Sequence, residues 1–480
     1  MADAVLANGA TLGDRTPAVE PRVPFKVKLC YGIGDLGSGL MNGGSAYVVF
    51  FYNQVLGLPA FWVTVAMFGG LAIDAFVDTI AGGLSDATKS RWGRRHPYIV
   101  LSAVPIALTF YLTFSVPDGL PHWALMGWMI VMTALWRISS SFFLVPYWAL
   151  GSELSKDFHE RTIVGAYRIF FAFAGTSAAA LMGVVFFGGA GGAEREGQFE
   201  VAPYHTIATI IAITVICVAW TSAVGTRSVI PRLTKAAAKF SIGGLFKEIG
   251  GFLHNRPFCV FFAGAFMFSI VLTTYSVASI YFGTYFWAFS TRQIFLMPSI
   301  GIAGMAAGTF AWPAISRRIG KKYSYMAGAA GFCALLVLPI FLKTGGVFID
   351  HDSSVYFPVL ALINFLAYLS GSAGAVIAAS MLPDVIENYA AGRPEKSVAG
   401  LITGMLNFNV KVALGVSNVI MGGVLSFVGL GHKTGIAVPP AVVHRLGLTY
   451  APVVIAAGAI CLAIFSFYSI PDKKWARPKP

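Results

Sequence analysis

The chain has 480 residues, of which 56% are hydrophobic and only 11% charged, and its mean hydropathy is +0.72. Soluble globular domains carry about a quarter charged residues, so a water-soluble enzyme is excluded at the outset. The formal charge of +13 does not point to nucleic acid, because basic residues of an integral membrane protein gather in its cytoplasmic loops.

The chain starts with MADAVLANGATLGDRTPAVEPR, which is polar and lacks the apolar core of a signal peptide; residues 1–26 read as a disordered cytoplasmic tail. Apolar stretches then run over 27–54, 60–84, 97–116, 122–154, 162–188 and 203–225. A second set covers 257–287, 294–316, 322–342, 354–382, 398–428 and 447–470. A membrane span needs roughly 20 apolar residues, and these stretches are long enough. The predicted fold is an all-α membrane protein with twelve transmembrane helices in two pseudo-symmetric six-helix bundles. The bundles are 27–225 and 257–470, joined by a basic linker at 226–256 and followed by a tail at 471–480. The cysteines at 30, 217, 259, 333 and 461 all fall in apolar runs without paired or metal-ligand spacing, and read as buried thiols.

Lysine and arginine set the orientation. With the N-terminus inside, the outside loops hold only Arg195, Arg292, Lys343, Lys433 and Arg445, and nearly all the other basic residues fall inside. Both termini are therefore expected in the cytoplasm, with the protein in the inner (plasma) membrane. After span 2 comes GGLSDATKSRWGRRHPY, and six spans later comes PAISRRIGKKYSY. Each sets a glycine and two cations between a polar helix end and the next span. Two six-span halves with the same basic turn resemble the major facilitator superfamily, whose halves rock about a central site near the bilayer midplane.

Ionisable groups deep in a span are costly, which makes them the residues to read for function. Span 2 reads MFGGLAIDAFVDTIAGGLSD and places Asp74 and Asp78 four apart, on one helical face. Two carboxylates a turn apart repel unless a cation or proton lies between them, as a coupling-ion site requires. Lys411 in NFNVKVALG of span 11 is the counter-charge, and a pairing would tie one half to the other. Asp35 stands among the glycines of YGIGDLGSGLMNGG in span 1; the residues alone leave a ligand group and a carboxylate in a packing stripe equally open. Arg168, two turns into span 5, divides evenly between a substrate contact and a helix-end anchor, and Arg137 in span 4 is similarly undecided. At the cytoplasmic ends, Asp86 with Arg91, Arg94 and Arg95, Glu153 with Arg161, and Asp384 and Glu387 with Arg393 and Lys396 are candidate gate pairs.

Together KLCYGIGDLGSG, the D-x-x-x-D of span 2, SRWGRRHPY, VPYWALGSEL, AYRIFFAFAG, MLPDVIENY and NVKVALG resemble the glycoside-pentoside-hexuronide:cation symporter family, of the melibiose permease type. The resemblance covers both halves in order. It implies a coupling-cation site of Asp74 and Asp78, completed by the Ser141 hydroxyl and supported by Lys411. The asparagine that the family places before the second aspartate is Val77 here, one oxygen ligand fewer. On the sugar side the resemblance carries over Arg168 and Trp148, an aromatic face and a bidentate donor suited to a sugar. The two sugar-binding aspartates of the family align with Gly39 and Leu144, so Asp35, one turn from Gly39, is the candidate replacement.

The expected activity is cation-coupled symport of a sugar or glycoside by alternating access. The alternative is a lysophospholipid or other amphiphile carried on the same fold. The coupling ion is H⁺ or Na⁺, with Asp74 and Asp78 as metal ligands in the sodium case. No catalytic residue, cofactor or nucleic-acid partner is expected: nucleophile–base pairs, metal motifs and phosphate loops are missing from the sequence. The partners are the small-molecule substrate and the lipid bilayer, with the protein acting as a monomer.

Overall fold

The computed structural model describes residues 23–155, 158–188, 197–232, 254–390, 399–432 and 438–470. Among these the regular structure is helical throughout. The first half comprises α1 (Phe25–Phe50), α2 (Ala60–Ala87), α3 (His96–Phe114), α4 (His122–Glu153), α5 (Phe158–Phe187) and α6 (Ala202–Gly225). The second comprises α7 (Arg256–Tyr281), α8 (Thr291–Ile319), α9 (Lys321–Thr344), α10 (Tyr356–Gly371), α11 (Ala373–Ala390), α12 (Ala399–Val428) and α13 (Pro440–Ser466). Predicted spans 1–9 are α1–α9. Span 10 is interrupted at Ser372, which divides it into α10 and α11, and spans 11 and 12 are α12 and α13. Ten segments are long and apolar enough to cross a bilayer, α10 and α11 counting as one. The remaining two spans are α1, whose glycines and polar residues lower its hydropathy, and α2, of which Ala60–Leu71 is an apolar run among the described residues.

Local chemistry sets the helix ends. Pro24, Pro59 and Pro121 precede α1, α2 and α4, where a missing N–H costs nothing. The Asn255 side chain accepts from Phe258 N at 3.0 Å to cap α7. Ser290 and Gln293 form a reciprocal capping box on α8. Gly320, at φ +84°, makes the sharp turn between α8 and α9 that a side chain would strain. Both α1 and α7 run on into a π-helical turn, Phe51–Val55 and Phe282–Phe286, at matching places in the two halves.

Packing repeats between the halves. α1 lies against α5 and α6 as α7 lies against α12 and α13. In the same way α3 meets α4 and α6, α9 meets α10 and α13, α2 meets α4, and α8 meets α10. Two seams join the halves, α2 with α12 and α5 with α8, and the same exchange of halves relates them. The predicted pair of pseudo-symmetric bundles is thus seen in the contacts. The tail and linker expectations fall mostly on 1–22, 233–253 and 471–480, outside the described residues. Helix α1 already starts at Phe25, inside the predicted tail, and Arg227–Arg232 forms a 3₁₀ turn. The thiols are all free, but of the five expected to be buried only Cys461 is so; Cys30, Cys259 and Cys333 are partly buried and Cys217 is exposed on α6.

Hydrogen bonds seal the halves together at the end away from the basic loops. Asn53 Nδ2 donates to Gly431 O at 3.1 Å and Gln54 Nε2 to Leu430 O at 3.3 Å. Tyr281 and Tyr285 return the contact, donating to Asn53 Oδ1 at 3.1 Å and Gln54 Oε1 at 2.9 Å. Gln198 donates to Thr284 Oγ1 at 2.9 Å. Asn53 and Gln54 are fully buried, and every bond of this seal is neutral.

Candidate coupling and substrate site

Four-residue spacing on α2 brings Asp74 and Asp78 to the face that meets α4 and α12. Asp74 is buried at 7% exposure. Its Oδ1 accepts from Ser141 Oγ at 2.6 Å, and its Oδ2 lies 2.8 Å from Lys411 Nζ and 3.9 Å from Arg137 Nη1. The same Lys411 ammonium is 2.5 Å from Asp78 Oδ2. Lys411 therefore bridges both carboxylates and, being on α12, ties the second half to the first. The Asp78 side chain is 29% exposed against 10% for Asp74, so Asp78 is the one that solvent reaches.

Arg137 had no assigned role in the sequence. It is four residues before Ser141 on α4, so one helical face delivers a cation and a hydroxyl to Asp74 together. That spacing was the available signal. Two carboxylates facing two cations leave the cluster charge-balanced as it stands. The oxygens that converge here come from two aspartates and one serine, and Val77 adds none. Among the described residues no three acidic, histidine or cysteine side chains gather to hold a metal.

The second cluster lies on α1, α4 and α5. Asp35 is buried at 5% exposure. It accepts from Ser38 Oγ one turn on, and Arg168 Nε lies 3.4 Å from its Oδ2. The Arg168 guanidinium sits over the Trp148 ring, 5.4 Å from its centroid. Tyr31 and Tyr147 stack beside it at 4.7 Å, each hydroxyl donating to the other residue's carbonyl. Trp148 Nε1 is buried without a hydrogen-bond partner among the described residues, so the site presents an unused donor. Asp35, Trp148 and Arg168, singled out separately in the sequence, thus stand in one constellation.

Position 39, where a sugar-binding carboxylate of the family aligns, has no room for a side chain. A Cβ built there would lie 2.1 Å from Ala172 O, because α1 and α5 touch backbone to backbone. The facing Gly175 is equally tight, its Cβ position 2.2 Å from Leu36 O. No side chain fits at 39 without separating the helices. Leu144, at the other aligned position, packs against the core.

At the basic end the charged residues clamp each half onto itself. Arg94 meets Glu153 at 2.5 Å and Asp86 at 3.7 Å, and Arg95 meets both at 2.8 Å. Arg95 also donates to Ser85 Oγ at 3.0 Å. Lys321 pairs with Asp384 at 2.5 Å across α9 and α11. Glu387 is exposed on α11. Glu153 thus takes Arg94 and Arg95; the Arg161 side chain, Arg393 and Lys396 lie outside the described residues. Asp86, Arg94, Arg95, Glu153 and Asp384 are joined within halves by these bonds, a distinction that tertiary structure alone supplies.

A sequence model described as MFS/sugar transport protein matches residues 30–472. The chain belongs to that family. It is accordingly a major facilitator transporter and not an enzyme. The chain is 24% identical over 424 residues to the isoprimeverose transporter of Lactiplantibacillus pentosus, covering 86% of this chain and 84% of that one. It is 23% identical over 467 residues to the putative glycoside/cation symporter YagG of Escherichia coli (strain K12), covering 94% of each. Among solved structures it is similar to the nucleoside transporter NupG, with a TM-score of 0.64 at 13% identity, over 92% of this chain and 98% of that one. That last likeness carries the fold alone.

Proposed function

We propose that this family member is a proton-coupled symporter that accumulates a sugar or glycoside by alternating access. The observation that carries the reading is Lys411 of the second half seated between Asp74 and Asp78 of the first. A cation that neutralises the carboxylates competes with Lys411 for them, and its binding releases the tie between the halves. A ligand shifts a conformational equilibrium only as far as its affinities for the two states differ. Here the difference is supplied by the displaced ammonium. The proton is favoured over Na⁺ because two carboxylates and one hydroxyl make a sparse oxygen shell, whereas a proton needs one carboxylate. Should Na⁺ be the coupling ion, Asp74 and Asp78 are its ligands.

The substrate sits at Asp35, Arg168 and Trp148. The indole ring takes a sugar's C–H face, its free N–H meets a hydroxyl, and the carboxylate–guanidinium pair binds others. Helix α4 carries Ser141 and Arg137 to the cation cluster and Trp148, two turns on, to the substrate cluster. One rigid element thus links the two occupancies. A polar, hydrogen-bonding cluster of this kind supports a sugar over an amphiphile. The residues 27–225 and 257–470 are the rocking units on either side of the 226–256 linker, and the protein functions as a monomer. With the seal of Asn53, Gln54, Tyr281 and Tyr285 on the outside, the conformation is inward-facing.

Basic loops assign the cytoplasmic side, with both termini there and the chain in the plasma membrane. In a Cys217→Ser background, a cysteine at Asp118 should react with an impermeant thiol reagent from outside the cell, and one at Trp92 only after permeabilisation. External labelling at Trp92 would invert the topology. For the function, uptake into reconstituted vesicles should be measured with labelled glycosides and a lysophospholipid under a pH or a Na⁺ gradient. Saturable glycoside uptake driven by the pH gradient is expected. Lysophospholipid uptake that no sugar inhibits would establish the amphiphile reading instead.

A further inference from the structure

The two cations that face Asp74 and Asp78 sit on different bodies. Arg137 is on α4, which packs against α2 inside the first half, and Lys411 is on α12 of the second. When the halves part, Arg137 travels with the carboxylates and Lys411 is drawn away from them. The sequence shapes a seat for Arg137 on α2, where Gly70, Asp74 and Asp78 recur every four residues on one face. A Cβ built at Gly70 would lie 3.2 Å from Arg137 Cδ and 3.4 Å from its Nε, so the arginine stem fills the space a side chain there would take. The guanidinium carbon lies 5.6 Å from the Trp136 ring centroid.

That guanidinium is close to Asp74 without yet being bonded to it. Nη1 stands 3.9 Å from Asp74 Oδ2, the same oxygen that Lys411 Nζ approaches to 2.8 Å. Nε is buried without a hydrogen-bond partner among the described residues. A buried charge with unused donors is costly, and Asp74 Oδ2 is the acceptor within reach. Asp78 has no such reserve among the described residues: the cation it faces is Lys411. Neutralising Asp78 leaves Lys411 held by Asp74 alone, and Arg137 stands where it can take that carboxylate over.

We propose that Arg137 relieves Lys411 of Asp74, so that one cation at Asp78 suffices to free the second half. This rests on the coupling-site reading above and holds for H⁺ and Na⁺ alike. The test is uptake and exchange in vesicles holding the full chain, with labelled cellobiose, lactose, melibiose and D-xylose under an inward gradient of H⁺ or of Na⁺. Arg137→Met should slow both uptake and exchange about tenfold, because Lys411 stays on Asp74. Asp74→Asn leaves Arg137 without a carboxylate, so the excess positive charge frees Lys411 and exchange runs without accumulation. Combining the two changes restores a balanced pair of Asp78 and Lys411. The double variant should again accumulate sugar, about tenfold under a gradient of about tenfold. Replacing a buried ion pair by neutral groups is commonly neutral for stability, so the double variant decides the matter even where size exclusion shows Arg137→Met misfolded. A purely structural Arg137 predicts a double variant no better than the worse single one. That result, or wild-type exchange rates in a folded Arg137→Met, would overturn the role of Arg137 and leave coupling standing. Wild-type protein that accumulates none of the four sugars under either gradient would overturn the symport reading and this one with it.

Discussion

Asp78→Asn should reduce gradient-driven accumulation to simple equilibration. Each pH unit across the membrane is worth a factor of ten per proton coupled, so a one-unit gradient sustains about tenfold accumulation with one proton per sugar. The variant should hold that ratio near one. The carboxamide keeps the shape of the side chain and can still accept from Lys411 Nζ, 2.5 Å away in the native protein, so the helices stay packed. What it loses is the charge that a coupling ion must neutralise. Substrate exchange without a gradient should persist, because Asp35, Arg168 and Trp148 are untouched. Asp74→Asn should give the same loss of accumulation with a larger fall in stability, since Asp74 is the more buried and has Ser141, Arg137 and Lys411 around it. Accumulation ratios at the wild-type level in both variants would reduce the pair to a structural role.

Removing the cation from the same cluster should act in the opposite sense on charge and can be reversed by a second change. In Lys411→Met the two carboxylates share only Arg137, and the loss of one partner from a buried pair costs about 3–5 kcal/mol. Asp78 is partly open to solvent, which lowers the expected cost to about 1–3 kcal/mol. The melting temperature in detergent should therefore fall. In the double variant Lys411→Met with Asp78→Asn, Asp74 faces Arg137 alone, charge balance returns, and most of the lost stability should be regained. Both proteins should be uncoupled. A double variant less stable than Lys411→Met would show that Lys411 stabilises by packing and not through Asp78.

Much of this arrangement could be read before any coordinates, for physical reasons that also mark where reading stops. Hydrophobic stretches are set by the bilayer, so the helices and the two halves followed from apolar length and the repeated basic turn. Charges within spans are rare because they are costly, which made Asp74, Asp78, Lys411 and Asp35 conspicuous one by one. Their mutual distances are tertiary facts. Arg137 carried the same conspicuous charge, but its face became meaningful only with Ser141 and Asp74 around it. Glu153 lies far in sequence from Arg94 and Arg95, and which cation each carboxylate takes depends on helix packing. Ser372 breaks span 10 without a proline or charge to announce it. Gly39 was visible as a departure from the family's carboxylate; the lack of room there, with Ala172 O where a Cβ would be, belongs to the α1–α5 contact.

The coupling claim is tested most directly by following protons. In sodium-free buffer, vesicles reconstituted with the protein and loaded with a pH-sensitive dye should acidify when a transported glycoside is added outside. Acidification should keep pace with entry of the labelled sugar and be absent in Asp78→Asn. Glycoside entry that strictly requires Na⁺ and moves no protons would contradict proton coupling at Asp74, Asp78 and Lys411.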